Sequence, residues 1–332
     1  MRNIARWVIA GIVLALSAGV SQAKTTWDYY SFLPVSHPVA QLHKAFADEV
    51  TKRSNGELEM IFRPAGELPF SVAESMLAIG AGQVQMGHTA GDFMTGSAPL
   101  ASVGSLPFLV RNWQELDKAA PIISAAANET LKKHGAMVLY LYYWPSYQLF
   151  GTGSPVVSVD DLKGRKIRGT AADQNAMLSR INASGVSIAT AEVPVAMQRG
   201  VADGLITSAF NANASRWYEF LDWGYLADLN MAGPDYVLVN EKAFKALPAS
   251  QQQLLRDLAK DWQPKFLALM RDNDEKAREA LQKDHGMKLN TASAADVKHM
   301  VSLMQPYWDE WGKRNGAEGV KLISDLRRVL GK

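Results

Sequence analysis

The residues able to do covalent or metal chemistry are few in this 332-residue chain. It has no cysteine, which removes disulfides, thiolate metal sites and cysteine nucleophiles. Its six histidines, at 37, 43, 88, 134, 285 and 299, show no HxxxH or HExxH spacing, so a zinc hydrolase is not expected. No GxSxG elbow and no P-loop occurs. Gly80-Ala81-Gly82 lacks the third glycine of a dinucleotide fingerprint. Asp160-Asp161 precedes Leu162-Lys163-Gly164 and reads as a solvated turn. What remains is charge recognition. Arg168 sits on the short strand-like run Lys166-Ile167-Arg168, which ends at Gly169-Thr170. A guanidinium is a fixed fork of donors that fits a carboxylate bidentately. A strand end at a domain edge is where α/β proteins place ligand groups. The competing reading of the same arginine is a surface ion pair.

The elements that would position such a residue follow from periodicity. Thr25-Thr26-Trp27-Asp28-Tyr29-Tyr30 is β-prone. Leu42, Phe46 and Val50 lie four apart on one helical face. Strands are expected at 58–62 and 84–87, with a helix near 72–79 between them. That β-α-β-α-β order is the pattern of a mostly parallel α/β sheet. Residues 113–133 read as helix and 136–143 as a strand buried on both faces. Further strands are expected at 166–168, 186–189, 204–208 and 236–240, with helices at 172–182 and 194–200. The last hundred residues are helical, with Leu255, Leu258, Trp262, Phe266 and Leu269 at spacings of three and four. Pro264 is expected to kink or divide the first of these helices. No repeat, low-complexity segment or Gly/Ser linker occurs.

Composition fixes the class. Charged residues are 20% and apolar residues 48%, an ordinary globular balance. The 35 basic against 33 acidic residues give no basic face for nucleic acid. At the amino terminus Arg2 and Arg6 precede an apolar run over 7–20 and then Ser21-Gln22-Ala23. That is a secretory signal peptide, 1–23, with cleavage expected after Ala23. The expectation is therefore an exported, two-domain α/β protein without catalytic machinery. Such a protein closes by a hinge around a small molecule.

Four motifs sharpen this. Asp161-Leu162-Lys163-Gly164-Arg165-Lys166-Ile167-Arg168 resembles the DLKGxKIR motif of the extracytoplasmic substrate-binding proteins of TRAP transporters. Glu192-Val193-Pro194-Val195-Ala196-Met197-Gln198-Arg199-Gly200-Val201-Ala202-Asp203-Gly204 is similar to that family's E-V-x-x-A-[LM]-Q-x-G-x-x-D-G run. Pro64-Ala65-Gly66-Glu67-Leu68 resembles its P-x-G-x-L turn, and Ser105-Leu106-Pro107-Phe108-Leu109 its LPF segment. The pieces stand in family order over nearly the whole mature chain.

The resemblance implies a two-domain periplasmic binding protein fold, with hinge strands and a long helix spanning both domains. Domain I would be 24–150, completed by about 234–275; domain II would be 151–233, completed by about 276–332. It implies capture of a small organic acid in the interdomain cleft and delivery to the small and large membrane subunits of a symporter. No nucleic acid, no cofactor and a monomeric protein are expected. Arg168 matches the family's carboxylate anchor. Gln148 stands where sialic-acid-type members carry a second arginine, which favours a monocarboxylate with a neutral hydrogen-bonding substituent. Thr207 replaces a family asparagine after Asp203-Gly204, and Ser208 follows it; both can bond a ligand oxygen. His88 and Thr89 fall at an expected strand-to-loop junction that resembles a contact region, Thr89 being favoured and His88 alternatively a core histidine. Phe32, Trp144, Tyr147, Phe210 and Trp217 lie near these points, with Trp144 and Phe210 the favoured walls for an apolar or aromatic tail. Some members bind through a metal ion, but no acidic cluster stands at 229–233, so metal-free binding is expected. The alternative is an exported enzyme acting on a carbohydrate or acid in the same cleft, or a sensor subunit that presents its ligand to a receptor.

Overall fold

The computed structural model describes residues 24–231 and 233–332, so the signal segment lies outside the described residues. In chain order the elements are β1 (Thr25–Tyr30), α1 (Pro38–Arg53), β2 (Leu58–Arg63), α2 (Ser75–Gly80), β3 (Met86–Ala90), α3 (Trp113–Lys133), β4 (Ala136–Tyr143) and β5 (Gln148–Gly151). There follow β6 (Lys166–Gly169), α4 (Ala172–Arg180), β7 (Ser184–Ser187), α5 (Val193–Gln198), β8 (Gly204–Thr207), α6 (Ala209–Ala214) and β9 (Trp223–Leu226). The chain ends with β10 (Pro234–Asn240), α7 (Glu241–Ala246), α8 (Ala249–Lys283), β11 (Lys288–Thr291), α9 (Ala294–Arg314) and α10 (Gly316–Leu330).

Two sheets result. The first has the order β2-β1-β3-β10-β4 and the second β11-β9-β5-β8-β6-β7. In the first, β1 is parallel to β2 and β3, while β10 returns antiparallel between β3 and β4. In the second, β8, β6 and β7 are parallel, and β5 runs antiparallel to β8 and β9. Both sheets are mixed rather than mostly parallel, because each includes one antiparallel strand that enters straight from the other sheet, β10 in the first and β5 in the second. The chain crosses from one sheet to the other between β4 and β5 and returns between β9 and β10; each sheet with its helices is one lobe.

The helices obey their hydrophobic stripes. On α1, Phe46 and Val50 are buried, while Leu42 is only half-buried and His43 takes the inner place. His37 caps this helix by accepting the Val39 N–H, and Pro38 sits in the first turn, where a missing N–H costs nothing. The 35-residue α8 runs unbroken through Pro264. At 1.5 Å per residue it is about 50 Å long. Trp262, Phe266 and Met270 are buried on one face around the proline, and that packing offsets its cost of about 3 kcal/mol. Strand limits moved where sequence signals were weak: β3 extends through His88 and Thr89, and β7 lies two residues earlier than expected.

Candidate functional site

Strand direction assembles one cavity between the sheets. In the second lobe the parallel strands β7, β6 and β8 all end at the cavity, as expected for the carboxyl ends of parallel strands. Arg168 is next to last in β6, and Thr170 follows that strand. Ser208 follows β8, Thr190 lies just past β7, and Asn211 is in the first turn of α6. All five line the cavity, with Thr207, Ile206 and Tyr147. In the first lobe Phe32 and Leu33 follow β1, Ala90 ends β3 with Phe93 just beyond, and Trp144 follows β4. The space free of atoms, counting the mouth, is about 440 Å³. The two walls differ in kind: the polar side chains stand on the second lobe, and the first presents aromatic and aliphatic groups.

Arg168 is 2% exposed. Its Nε donates to the Ile188 carbonyl at 2.9 Å, Nη1 to the Ile206 carbonyl at 3.4 Å and Nη2 to Thr190 Oγ1 at 3.2 Å. These acceptors are neutral and occupy three of the five N–H groups. Among the described residues no carboxylate lies within ion-pair distance of the guanidinium. Burial lowers its pKa to about 10, opposed by the Tyr147 hydroxyl and the Asp92 carboxylate nearby. It is still a cation at neutral pH. A buried cation with spare donors and no anion in contact is a receptor for one.

The opposite wall is held by a buried carboxylate. Asp235, on β10, is wholly buried and accepts from Tyr142 Oη at 2.8 Å, Trp144 Nε1 at 3.0 Å and His88 Nδ1 at 3.1 Å. Because that carboxylate takes the Tyr142 proton, the Tyr142 oxygen accepts from His43 Nε2 at 2.9 Å. His43 Nδ1 then accepts from the Tyr29 hydroxyl. His43 stacks on His88 with ring centroids 3.9 Å apart, and the Phe32 ring lies 4.6 Å from His88. The cluster thereby fixes Trp144 and Phe32, two rings that line the cavity.

The residues singled out from sequence divide accordingly. Arg168, Thr207, Ser208, Trp144 and Phe32 line the cavity, and His88, Thr89, Phe210 and Gln148 do not. His88 and Thr89 belong to β3 rather than a loop and are completely buried. Phe210 backs Trp144, with centroids 6.0 Å apart. Gln148 opposes Thr207 in the β5–β8 register, yet its amide turns away: Nε2 donates to Asp228 Oδ1 at 2.6 Å and Oε1 accepts from the Asp228 N–H at 2.9 Å. Sequence reading did not place Thr170, Thr190 or Asn211 in the site. Thr170 was findable as the residue beyond the strand that carries Arg168; the other two arrive through sheet adjacency and a helical turn. Among the described residues no group of three His, Asp or Glu could hold a metal ion.

Two α/β lobes whose strand ends enclose one small cavity, cationic on one side and apolar on the other, define a solute-capturing receptor. Residues 30–315 match the model of the bacterial extracellular solute-binding proteins, family 7, and the chain belongs to that family, the solute-binding proteins of TRAP transporters. A solute-binding protein of Albidiferax ferrireducens is 26% identical over 298 residues, 87% of this chain and 86% of that one. Another from Chromohalobacter salexigens is 23% identical over 323 residues, 96% of this chain and 93% of that one. Among solved structures, a Bordetella pertussis extracytoplasmic solute receptor binding pyroglutamic acid superposes with a TM-score of 0.85 at 25% identity, covering 91% of this chain and 99% of its own. The protein is a transport receptor and not an enzyme, which removes the exported-enzyme alternative. The family is extracellular and acts with membrane components; among the described residues no helix is long and apolar enough to cross a membrane.

Proposed function

We propose that the protein captures a small monocarboxylate with a compact, largely apolar body between its lobes. It works as a monomer in the periplasm, after removal of residues 1–23, and hands its ligand to the small and large membrane subunits of a TRAP symporter. The lobes are 24–150 with about 234–275, and 151–233 with about 276–332. The single observation that carries this reading is Arg168: a buried cation whose protein partners are all neutral. The ligand carboxylate takes its spare N–H groups, and Thr207, Ser208, Thr190 and Asn211 bond the oxygens or ring nitrogen beside it. Phe32 and Trp144 cover the apolar face. His88, Thr89, Phe210 and Gln148 support that first layer from behind. One cation against one apolar wall suits one carboxylate; a second would be buried without a partner. Two Bordetella pertussis receptors described as binding pyroglutamic acid, each 25% identical to this chain, point to the same chemical class.

A thermal-shift screen tests the reading. Pyroglutamate and other compact monocarboxylates with a largely apolar body should raise the melting temperature more than dicarboxylates or the hydroxyl-rich uronates. A ligand at a hundred times its Kd adds about 2.7 kcal/mol of stability. The ligand should be recovered unchanged and bound one to one. A panel in which dicarboxylates stabilise best would overturn the monocarboxylate assignment. Intact-mass measurement on periplasmic extract should give a chain beginning at Lys24; retention of Met1 in a membrane fraction would overturn the signal-peptide assignment.

A further inference from the structure

Asp92 is a buried carboxylate that lies outside the cavity wall, in the first lobe, just past β3. Its Oδ2 accepts from two hydroxyls, Tyr147 Oη at 2.5 Å and Thr170 Oγ1 at 3.0 Å. Tyr147 belongs to the crossover between the sheets and Thr170 to the second lobe, two residues beyond Arg168. Both line the cavity. Thr170 Oγ1 also lies 3.1 Å from Gln174 Oε1, but that oxygen already accepts the Thr170 N–H at 2.8 Å. The charged carboxylate is the stronger acceptor of the two and draws the single hydroxyl proton. The seat of Asp92 is built closely: a Cβ at Gly233 would stand 2.0 Å from Ser105 Oγ and 3.0 Å from Asp92 Oδ1, so the returning crossover needs glycine there. Burial raises the pKa of Asp92, opposed by the Ser105, Tyr147 and Thr170 hydroxyls and by the charge of Arg168. A carboxylate without a salt-bridge partner is costly in such a place, and it is retained where its bonds are used.

We propose that Asp92 is the positioning residue of the closed cleft, a latch that draws Thr170 and Tyr147 onto the first lobe and so carries Arg168 and its loop to the apolar wall. When the lobes part, Thr170 leaves with the second lobe and Asp92 regains water, so the bond exists only when the lobes meet. Asp92 thus sets how long the ligand is held without touching it. This inference rests on the cleft being the capture site proposed above.

The absence of cysteine makes the test direct. Leu77→Cys on the first lobe and Val195→Cys on the second, both exposed positions, carry a pair of spin labels. Interlobe distances are recorded without ligand and with excess pyroglutamate. The wild-type background should show a short-distance population. Asp92→Ala should deplete it at least about threefold, the low end for one lost hydrogen bond. Asp92→Asn keeps an acceptor oxygen and should restore most of it. Thr170→Val should reproduce the loss from the other lobe, which keeps the test decisive if Asp92→Ala fails to fold. A folded Asp92→Ala protein with the wild-type distribution overturns the latch. A wild-type background without a short-distance population in either condition does so as well. If that population is present but indifferent to pyroglutamate, the ligand assignment fails while the latch is still read from the variants.

Discussion

Asp235 in the first lobe and Arg168 in the second are both buried charges, and the fold treats them in opposite ways. Asp235 receives Tyr142, Trp144 and His88, all from its own lobe, and its oxygens are satisfied within the protein. Arg168 donates to two carbonyls and a hydroxyl, and among the described residues no anion is in direct contact with it. Burial alone therefore does not mark a binding charge; what marks it is whether the fold supplies the counter-group. The saturated carboxylate is architecture, and it stiffens the apolar wall through Trp144. The unsaturated cation is the part of the molecule that a ligand completes.

Removing the cation should have the largest effect. Arg168→Ala should cost about 3–5 kcal/mol of binding, two to four decades of affinity, because the ligand carboxylate would then be buried unpaired. Circular dichroism should show the fold intact. Arg168→Lys should recover only part of the affinity, since an ammonium lacks the planar fork. Calorimetry with pyroglutamate, or whichever acid stabilises best, reads all three proteins. A folded Arg168→Ala variant that binds within a few-fold of wild type would erase the contrast.

Acid should break the other side first. Burial lowers His37 to about 4, and it lowers His43 well below the usual imidazole value, helped by the neighbouring His88. The unfolded chain takes up these protons near pH 6.5, while the folded protein refuses them until much lower. Their contribution is thus whole above pH 6.5 and is lost as pH falls from there towards 4. The slope is up to about 1.4 kcal/mol per pH unit for each histidine, on the order of 3 kcal/mol over the His37 window. Urea unfolding at pH 7, 5.5 and 4.5 should show this decline, and His37→Asn should make it shallower. A stability that stays flat to pH 4.5 would contradict the neutral, buried state of these rings. Next in size, Asp235→Asn leaves one acceptor where three donors converge. It should cost about 1–3 kcal/mol of stability while affinity changes less than tenfold, acting only through the cavity rings it positions, Trp144 and Phe32.

How much of this was legible beforehand depended on element length. The long amphipathic helices α1, α3, α8 and α9 repeat their apolar stripe often enough to be read, and the turn and short strand of residues 161–168 place Arg168. The four-residue strands β5, β9 and β11 carry too few side chains for a period to show, so the second sheet was only half visible. Sheet adjacency brings Thr190 beside Arg168, and no local pattern encodes that. Asp92 was silent for the same reason: its partners are 55 and 78 residues away. Gln148 was misleading because the backbone at Asp228 turns left-handed, with φ 45°, and offers the amide a reciprocal partner behind the sheet.

That last pair gives the finest test, since Gln148 and Thr207 face each other in register and do different things. Thr207 lines the cavity, and its Oγ1 accepts from Asn211 Nδ2 at 2.9 Å, which leaves its own proton to donate to a ligand oxygen. Thr207→Val keeps the shape and should lose about 1 kcal/mol of affinity, one neutral hydrogen bond, with little change in melting temperature. Gln148→Ala strips Asp228 of both an acceptor for its N–H and a donor to its carboxylate. Asp228 also takes Arg278 Nη2 at 3.4 Å from α8, so the damage falls where the chain crosses back between the lobes. About 1 kcal/mol of stability should go, with affinity held within a few-fold. Calorimetry and melting on the two variants should therefore give opposite patterns. If Gln148→Ala instead loses more affinity than Thr207→Val at unchanged stability, the amide reaches the ligand in the bound state and the second polar anchor belongs on β5 after all.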